Sequence, residues 1–280
     1  MKRLELWFSE YQTKNVKLSF RIKEVLYTKQ SSYQKIAVYE TEDFGRILTL
    51  DDTIMLTTKD EYIYHEMISH VPMLTHGDAS RVLVIGGGDG GTVRELLKHP
   101  VKEIHLVEID KEVIETSKKY FPTISCGLSD PRVKIYFEDG IEFVKKNTGY
   151  DVVIVDSTDP IGPAVGLFSA EFYKNVFEAL NEDGILVAQT ESPILFDNLV
   201  KKIYKDMSSV FPYTNMYSAV IPTYPGALWT FTMGSKTINP LLKEVSSLPH
   251  IDTKFYRREL QKSYFILPPF VSNLISDRGV

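Results

Sequence analysis

The sequence predicts an α/β protein: a mainly parallel, helix-covered sheet with an antiparallel edge strand, preceded by a small antiparallel β domain. Three observations carry this. The apolar run Val82-Leu-Val-Ile leads into Gly86-Gly-Gly-Asp-Gly-Gly91, and Val93, Leu96 and Leu97 follow at helical spacing. Strand, glycine turn and helix form the opening of a nucleotide-binding βαβ unit. From there strand-like and helix-like segments alternate to about residue 210, the pattern of a parallel sheet covered on both faces. Ahead of it, residues 1–58 hold short runs with partial period-two alternation, the pattern of hairpins.

In chain order, Val16 to Leu26 places Leu18, Phe20 and Ile22 on one side and Lys17, Ser19, Arg21 and Lys23 on the other. Lys35 to Glu40, Phe44 to Asp52 and Ile54 to Thr58 supply further short strands, with Gly45 and Asp51-Asp52 as turn residues. This set defines an N-terminal β domain over 1–58, too small to be stable without packing on something larger. Asp60 to Leu74 puts Ile63, Met67, Val71 and Leu74 on one helical face. It reads as a linking helix over 59–76 that Pro72 bends or ends. The catalytic domain then covers 77–280. Its strands are expected near 81–86, 103–108, 133–138, 151–156 and 185–190, and its helices near 91–98, 111–120, 140–147, 169–180 and 195–210. Asn215 to Val220 and Trp229 to Gly234 have no helical segment between them, so they form a long hairpin. Helical patterns return around Leu267-Pro-Pro.

The chain has 280 residues, a formal charge of -5 and one cysteine, Cys126. The acidic balance and the lack of a basic run argue against a nucleic-acid partner. A single cysteine permits no intrachain disulfide and no cysteine-rich metal site. The start, Met1-Lys-Arg-Leu-Glu-Leu-Trp-Phe, lacks the apolar core of a signal peptide, and no apolar run is long enough to span a membrane. The expectation is a cytoplasmic protein without a membrane partner.

In such a sheet ligands bind beyond the carboxyl ends of the strands. Acidic residues follow four successive strands there: Asp89, Glu108, Asp139 and Asp156. Glu108 stands about 20 residues beyond the glycine turn, the spacing at which a carboxylate reaches ribose hydroxyls. Singly each has an ordinary explanation, Asp139 as a helix N-cap, Glu108 as a solvated strand end, Asp156 and Asp159 as loop caps. Four together are harder to explain so. No Gly-Lys-[Ser/Thr] phosphate loop is present. A carboxylate at Asp89 would repel phosphate and attract an amine or sulfonium, so the turn suits a cationic nucleoside such as an S-adenosyl sulfonium. An alkylamine, with a pKa of about 10.4, must lose a proton before attacking carbon. Asp156 can accept that proton, and Asp159 can hold a second amine. Tyr64 and Tyr224 can offer aromatic faces and hydroxyls to an alkylammonium, though each taken singly also reads as a core residue. His65, a lone histidine beside apolar residues, reads as structural. No His/Asp/Glu set has metal-ligand spacing, and Ser157 and Thr158 lack a nucleophile-elbow pattern.

Gly86-Gly-Gly-Asp-Gly-Gly, Val107-Glu-Ile-Asp, Asp139-Gly and Asp156-Ser-Thr-Asp-Pro-Ile-Gly-Pro together resemble the spermidine synthases, which are polyamine aminopropyltransferases. Tyr33-Gln34, Asp60-Glu-Tyr-Ile-Tyr-His-Glu-Met and Ile221-Pro-Thr-Tyr-Pro extend the likeness, which runs from about residue 3 to the C-terminus. The resemblance implies a methyltransferase-like Rossmann domain. It also implies transfer of an aminopropyl group from decarboxylated S-adenosylmethionine, a co-substrate, to putrescine, giving spermidine and methylthioadenosine without a prosthetic group or metal. By motif, Gln34, His65, Asp89, Glu108, Asp139, Gly140 and Pro163 would bind the donor, Glu108 at the ribose, Asp139 at the adenine and Asp89 at the aminopropyl ammonium. Asp156 would be the general base. Tyr64, Ser157, Thr158, Asp159 and Tyr224 would line the amine site. The family assembles as homodimers or homotetramers, partly through its N-terminal domain. The loop from Ser157 to Phe168 is expected to close over the ligands. This chain departs from some relatives at Pro225-Gly-Ala and Thr190-Glu-Ser-Pro-Ile-Leu-Phe, segments expected to border the acceptor site. An aminopropyltransferase preferring agmatine, cadaverine or spermidine is the nearest alternative. An S-adenosylmethionine methyltransferase is a further one, which Asp89 disfavours because it would face the methionine carboxylate.

Overall fold

The computed structural model describes residues 5–158, 162–245 and 250–276, without the side chains of 162 and 163. Five strands come first: β1 (Leu6–Thr13), β2 (Val16–Gln30), β3 (Lys35–Thr41), β4 (Arg46–Leu50) and β5 (Thr53–Thr57). They form one antiparallel sheet in sequence order. β2 is longer than the short strands the alternation suggests. It pairs with β1 up to Ile22 and with β3 from there on, and the change of partner coincides with register shifts between Ile22 and Tyr27. Such shifts bend a strand and let it serve two neighbours. β1 itself was not delimited by the sequence pattern.

Helix α1 (Glu61–His76) follows. Every one of its residues except Tyr62 is buried, which is why its apolar stripe is only part of its lining. It runs through Pro72 to His76, where the sequence suggested a bend or an end. Pro72 withholds one amide, but Val71, Met73 and Leu74 around it are buried in the core, and that packing offsets the lost bond.

The second sheet contains seven strands: β6 (Arg81–Gly86), β7 (Glu103–Val107), β8 (Val133–Tyr136), β9 (Tyr150–Asp156), β10 (Leu180–Gln189), β11 (Tyr213–Val220) and β12 (Leu228–Ser235). Their spatial order is β11-β12-β10-β9-β6-β7-β8. The five strands from β10 to β8 pair in parallel; β12 is antiparallel to β10, and β11 closes the edge antiparallel to β12. Helices α2 (Gly91–Leu96), α3 (Lys111–Tyr120), α4 (Gly140–Lys146), α5 (Ala170–Ala179) and α6 (Asp197–Ser208) connect them. A 3-10 turn at Arg258–Phe265 and α7 (Pro269–Ile275) end the described chain. The central strands are apolar without alternation because both faces are covered. Val82 and Val84 pack on the α1 side, Leu83 and Val153 on the side of α4 and α5. The first sheet is not separate from this body: Ile36, Val38, Leu48 and Leu56 share a core with Val113 of α3 and Phe121 just after it. Among the described residues no helix is long and apolar enough to cross a membrane.

Candidate active site

β9, β6, β7 and β8 are consecutive neighbours, so the residues at their carboxyl ends face one cleft. Strand order reverses between β9 and β6, the crevice where open α/β sheets bind ligands. A cavity of about 260 Å³ opens there. Gly86 to Asp89 line it after β6, Glu108 after β7, Asp139 and Gly140 after β8, and Asp156, Ser157 and Thr158 at the end of β9. Gln34 from the turn before β3, Tyr64 and His65 from α1, and Tyr224 from the β11–β12 connection also line it. Asp159 lies outside the described residues, and so does the side chain of Pro163.

Two glycines make this approach sterically possible. Gly86 has a φ of +82°, and a Cβ there would collide with the Asp156 backbone carbonyl. Gly91 opens α2, and a Cβ on it would occupy the space of the His65 ring. The turn is therefore pressed against β9 on one side and α1 on the other.

Asp156 is 8% exposed. Its Oδ1 accepts a hydrogen bond from the Tyr64 hydroxyl at 2.7 Å, and its Oδ2 one from the Thr92 hydroxyl at 2.7 Å. Burial, and then the charge of nearby Asp89, push its carboxyl above the usual range. A carboxylate so placed is a stronger proton acceptor than one in water.

Asp89 Oδ1 accepts the Gly91 N–H at 2.7 Å and faces His65 Nε2 at 3.1 Å. The other ring nitrogen, Nδ1, meets Glu61 Oε2 at 2.6 Å. Arg94 donates to both Glu61 oxygens, at 3.0 and 2.9 Å. Burial alone would discharge the imidazole, but Asp89 and Glu61 outweigh it and raise His65 to about 10. Burial likewise pushes Glu61 up, and His65 with Arg94 overrides it and holds the carboxyl at about 2. His65 is thus an imidazolium between two carboxylates, a charge state its apolar sequence neighbours do not reveal. One ligand atom from each of His65, Asp89 and Asp156 lies within 4.8 Å of the others, a grouping invisible in linear spacing; both His65 nitrogens already face carboxylates.

Glu108 is buried, not a solvated strand end. Its Oε1 accepts the Asp110 N–H at 2.9 Å, and burial, with the Asp110 charge adding to it, pushes its carboxyl up to about 7. Asp139 is the N-cap considered for it, its Oδ1 accepting the Ile141 N–H at 2.7 Å at the start of α4, and the residue also lines the cavity. Gln34 is held over the second sheet by Asp110, 3.2 Å from its Nε2.

Both tyrosine hydroxyls donate to the protein. The Tyr64 hydroxyl is engaged by Asp156, and the Tyr224 hydroxyl donates to the Met55 carbonyl at 2.7 Å. Each hydroxyl proton is thus committed to the protein, and the two rings pack together and, through Tyr224, on Trp229. Pro225 lines the cavity, as expected, but residues 190–196 do not. β10 ends at Gln189, and the chain then runs against the Gly226 turn, where a Cβ on Gly226 would meet Ser192 Oγ. Sequence reasoning missed Glu61, Thr92, Arg94, Gln189 and Trp229. Glu61 stood one helical turn before His65, and Gln189 closed a fifth strand, so both had a signal. Thr92, Arg94 and Trp229 had none beyond their nearness to motifs.

The fold and cleft define a class: a methyltransferase-like Rossmann enzyme whose ligand groove is acidic where a nucleotide-phosphate site would be basic. Residues 61–244 match the spermine/spermidine synthase domain, and residues 6–58 the spermidine synthase tetramerisation domain. The chain belongs to the spermine/spermidine synthase family, the polyamine aminopropyltransferases. It is 53% identical to the polyamine aminopropyltransferase of Thermoanaerobacter sp. (strain X514), over 98% of this chain and 100% of that one. To that of Bacillus subtilis (strain 168) it is 49% identical, over 97% and 99%. A spermidine synthase solved in complex with the transition state analogue AdoDATO superposes with a TM-score of 0.91 at 41% identity, covering 98% of this chain and 96% of that one. The Thermotoga maritima spermidine synthase gives 0.88 at 40%, covering 98% and 95%.

Proposed function

We propose that this aminopropyltransferase takes its aminopropyl group from decarboxylated S-adenosylmethionine and delivers it to putrescine, with Asp156 as general base. The observation that carries this is the Tyr64–Asp156–Thr92 arrangement beside Asp89: a buried carboxylate, fixed by two hydroxyls, at the wall of an acidic cavity. Glu108 holds the ribose, Asp139 with Gly140 the adenine, and Asp89 the aminopropyl ammonium. Gln34, His65 and Pro163 complete the donor site. Tyr64, Ser157, Thr158, Asp159 and Tyr224 take the diamine.

Putrescine enters protonated. Asp156 accepts a proton from the attacking ammonium, and the freed nitrogen lone pair forms the new C–N bond as the C–S bond breaks. The sulfonium leaves as the neutral thioether of methylthioadenosine, so no acid is needed for departure. Most of the remaining work is alignment of two cationic chains. The segment 157–168, of which 159–161 lie outside the described residues, is read as closing over both. Ala164 and Leu167, which line the cavity, support that role.

The same reading divides the chain at 58 and 76, which the self-contained pairing of β1–β5 supports. It assembles as a homodimer or homotetramer in the cytoplasm. Leu6, Trp7, Tyr11, Val16 and Val25, exposed apolar residues within the tetramerisation domain, support β1 and β2 as the contact surface.

The test is methylthioadenosine release from the decarboxylated donor with putrescine, cadaverine, agmatine and spermidine in turn. Putrescine is expected to give the highest kcat/KM. A higher value for another amine would replace putrescine as acceptor, and no product with any amine would overturn the reading. S-adenosylhomocysteine formed from ordinary S-adenosylmethionine would favour a methyltransferase.

A further inference from the structure

A line of ionised groups runs from the cavity wall into the α1–α2 interface. It begins at Asp89, passes through His65 and Glu61 to Arg94, and reaches Glu95, whose Oε1 accepts from Arg94 Nε at 2.8 Å. The His65 and Glu61 side chains are 3% and 7% exposed. Neither Glu61 nor Arg94 lines the cavity. Yet both are tied to the His65 ring, which fills the space left by the missing Cβ of Gly91: Glu61 holds its Nδ1 as Asp89 faces its Nε2, and Arg94 holds Glu61. Asp89 in turn has Oδ1 committed to His65 and to the Gly91 N–H.

We propose that Glu61 and Arg94 are positioning residues for the donor: they anchor the His65 ring on the glycine turn, so that Asp89 keeps Oδ1 on the protein and presents Oδ2 to the aminopropyl ammonium. The inference rests on the reading of Asp89 as holder of that ammonium. The charges that face His65 are Glu61 on its own helix, Asp89 in the turn, Asp156 at the end of β9 and, through Glu61, Arg94 of α2. With Glu61 in place the imidazolium charge is shared between two carboxylates. Without it the ring loses its partner on Nδ1 and leans on Asp89 more strongly, so His65 competes with the ligand ammonium for that carboxylate. Arg94 acts one step further out. Its two bonds fix the Glu61 carboxylate, and a bidentate guanidinium does this with a geometry lysine cannot copy.

The test compares two ligands on the full-length protein by calorimetry: decarboxylated S-adenosylmethionine, which carries the ammonium, and methylthioadenosine, which does not. Glu61→Gln and Arg94→Met are expected to weaken the first by about ten- to a hundredfold, the range for a hydrogen bond to a charged group, and to leave the second unchanged. Arg94→Lys, the milder change should either variant fail to fold, is expected to show an intermediate, equally selective loss. Equal losses for both ligands, or no loss for either, would make the cluster merely structural and overturn the proposal. Asp89→Asn separates this from the underlying reading. It should weaken the decarboxylated donor far more than methylthioadenosine, and an equal effect on both would remove Asp89 from the ammonium, and the proposal with it.

Discussion

The Tyr64 hydroxyl lies 2.7 Å from Asp156 Oδ1, and the two come from α1 and the end of β9, 92 positions apart in the chain. The hydroxyl donates, so it favours the ionised carboxylate. Burial and Asp89 act against it, and they win: the carboxyl titrates above its ordinary range. Asp156 therefore combines a raised basicity with a fixed orientation. Replacing it by Asn keeps the shape and both hydroxyl neighbours but removes the proton acceptor. Turnover is expected to fall about 10²- to 10⁴-fold, the usual contribution of a positioned base, with donor affinity little changed. Single-turnover kinetics measure the first and calorimetry the second; near-normal turnover would take the base role from Asp156.

Tyr64→Phe should move a pH profile without abolishing activity. Deleting the hydroxyl removes one bond that stabilises the charged carboxylate, so the Asp156 pKa rises further. The base must be ionised to work, so activity is lost as pH falls through that pKa. The acidic limb of kcat/KM, which reports the free enzyme, is expected at higher pH in the variant than in the parent. A limb that stays in place would mean that another group sets it.

Glu108 gives a second pH dependence, in binding. Burial raises its carboxyl to about 7 in the free protein, and the ionised form is the better acceptor for ribose hydroxyls. Affinity for methylthioadenosine should rise as pH increases through about 7, with proton release on binding below that point. Calorimetry in buffers of different ionisation enthalpy reads the proton directly. Glu108→Gln should bind more weakly and lose the dependence; an unchanged pH profile would exclude Glu108 as its origin.

Gly91→Ala places a methyl group in the space of the His65 ring. The ring or the turn must shift, at a cost of about 1–3 kcal/mol for overpacking, and the Asp89–His65 contact opens. Denaturant unfolding should show the loss of stability and calorimetry a weaker hold on the decarboxylated donor. A variant equal to the parent in both would show that the contact is not needed.

Trp7 is 55% exposed and Tyr11 70%, on the outer strand of the first sheet. A glutamate at position 7 would set a charge in any contact made there. Light scattering is expected to show a smaller assembly for Trp7→Glu than for the parent, with methylthioadenosine affinity kept because the donor site is distant in the sheet order. An unchanged mass would move the contact away from β1.

The sequence by itself determined the strand–glycine–helix order and the placing of a carboxylate at the end of each of four strands. Those are local properties: an apolar run too short for a helix, a turn that only glycine satisfies, and a fixed spacing between strand ends. Hence Asp89, Glu108, Asp139 and Asp156 were legible, and the structure gathers them around one cavity. The charge state and partners of these groups were not. Whether His65 is a neutral core residue or an imidazolium depends on Glu61, Asp89 and Arg94 meeting in the α1–α2 interface. Where a tyrosine sends its hydroxyl proton depends on Asp156 or the Met55 carbonyl being within reach. The length of β2 depended on a change of partner halfway along, and the passage of α1 through Pro72 on burial from all sides. Burial and ion pairing are set by which segments meet in space, so only the tertiary structure decided them.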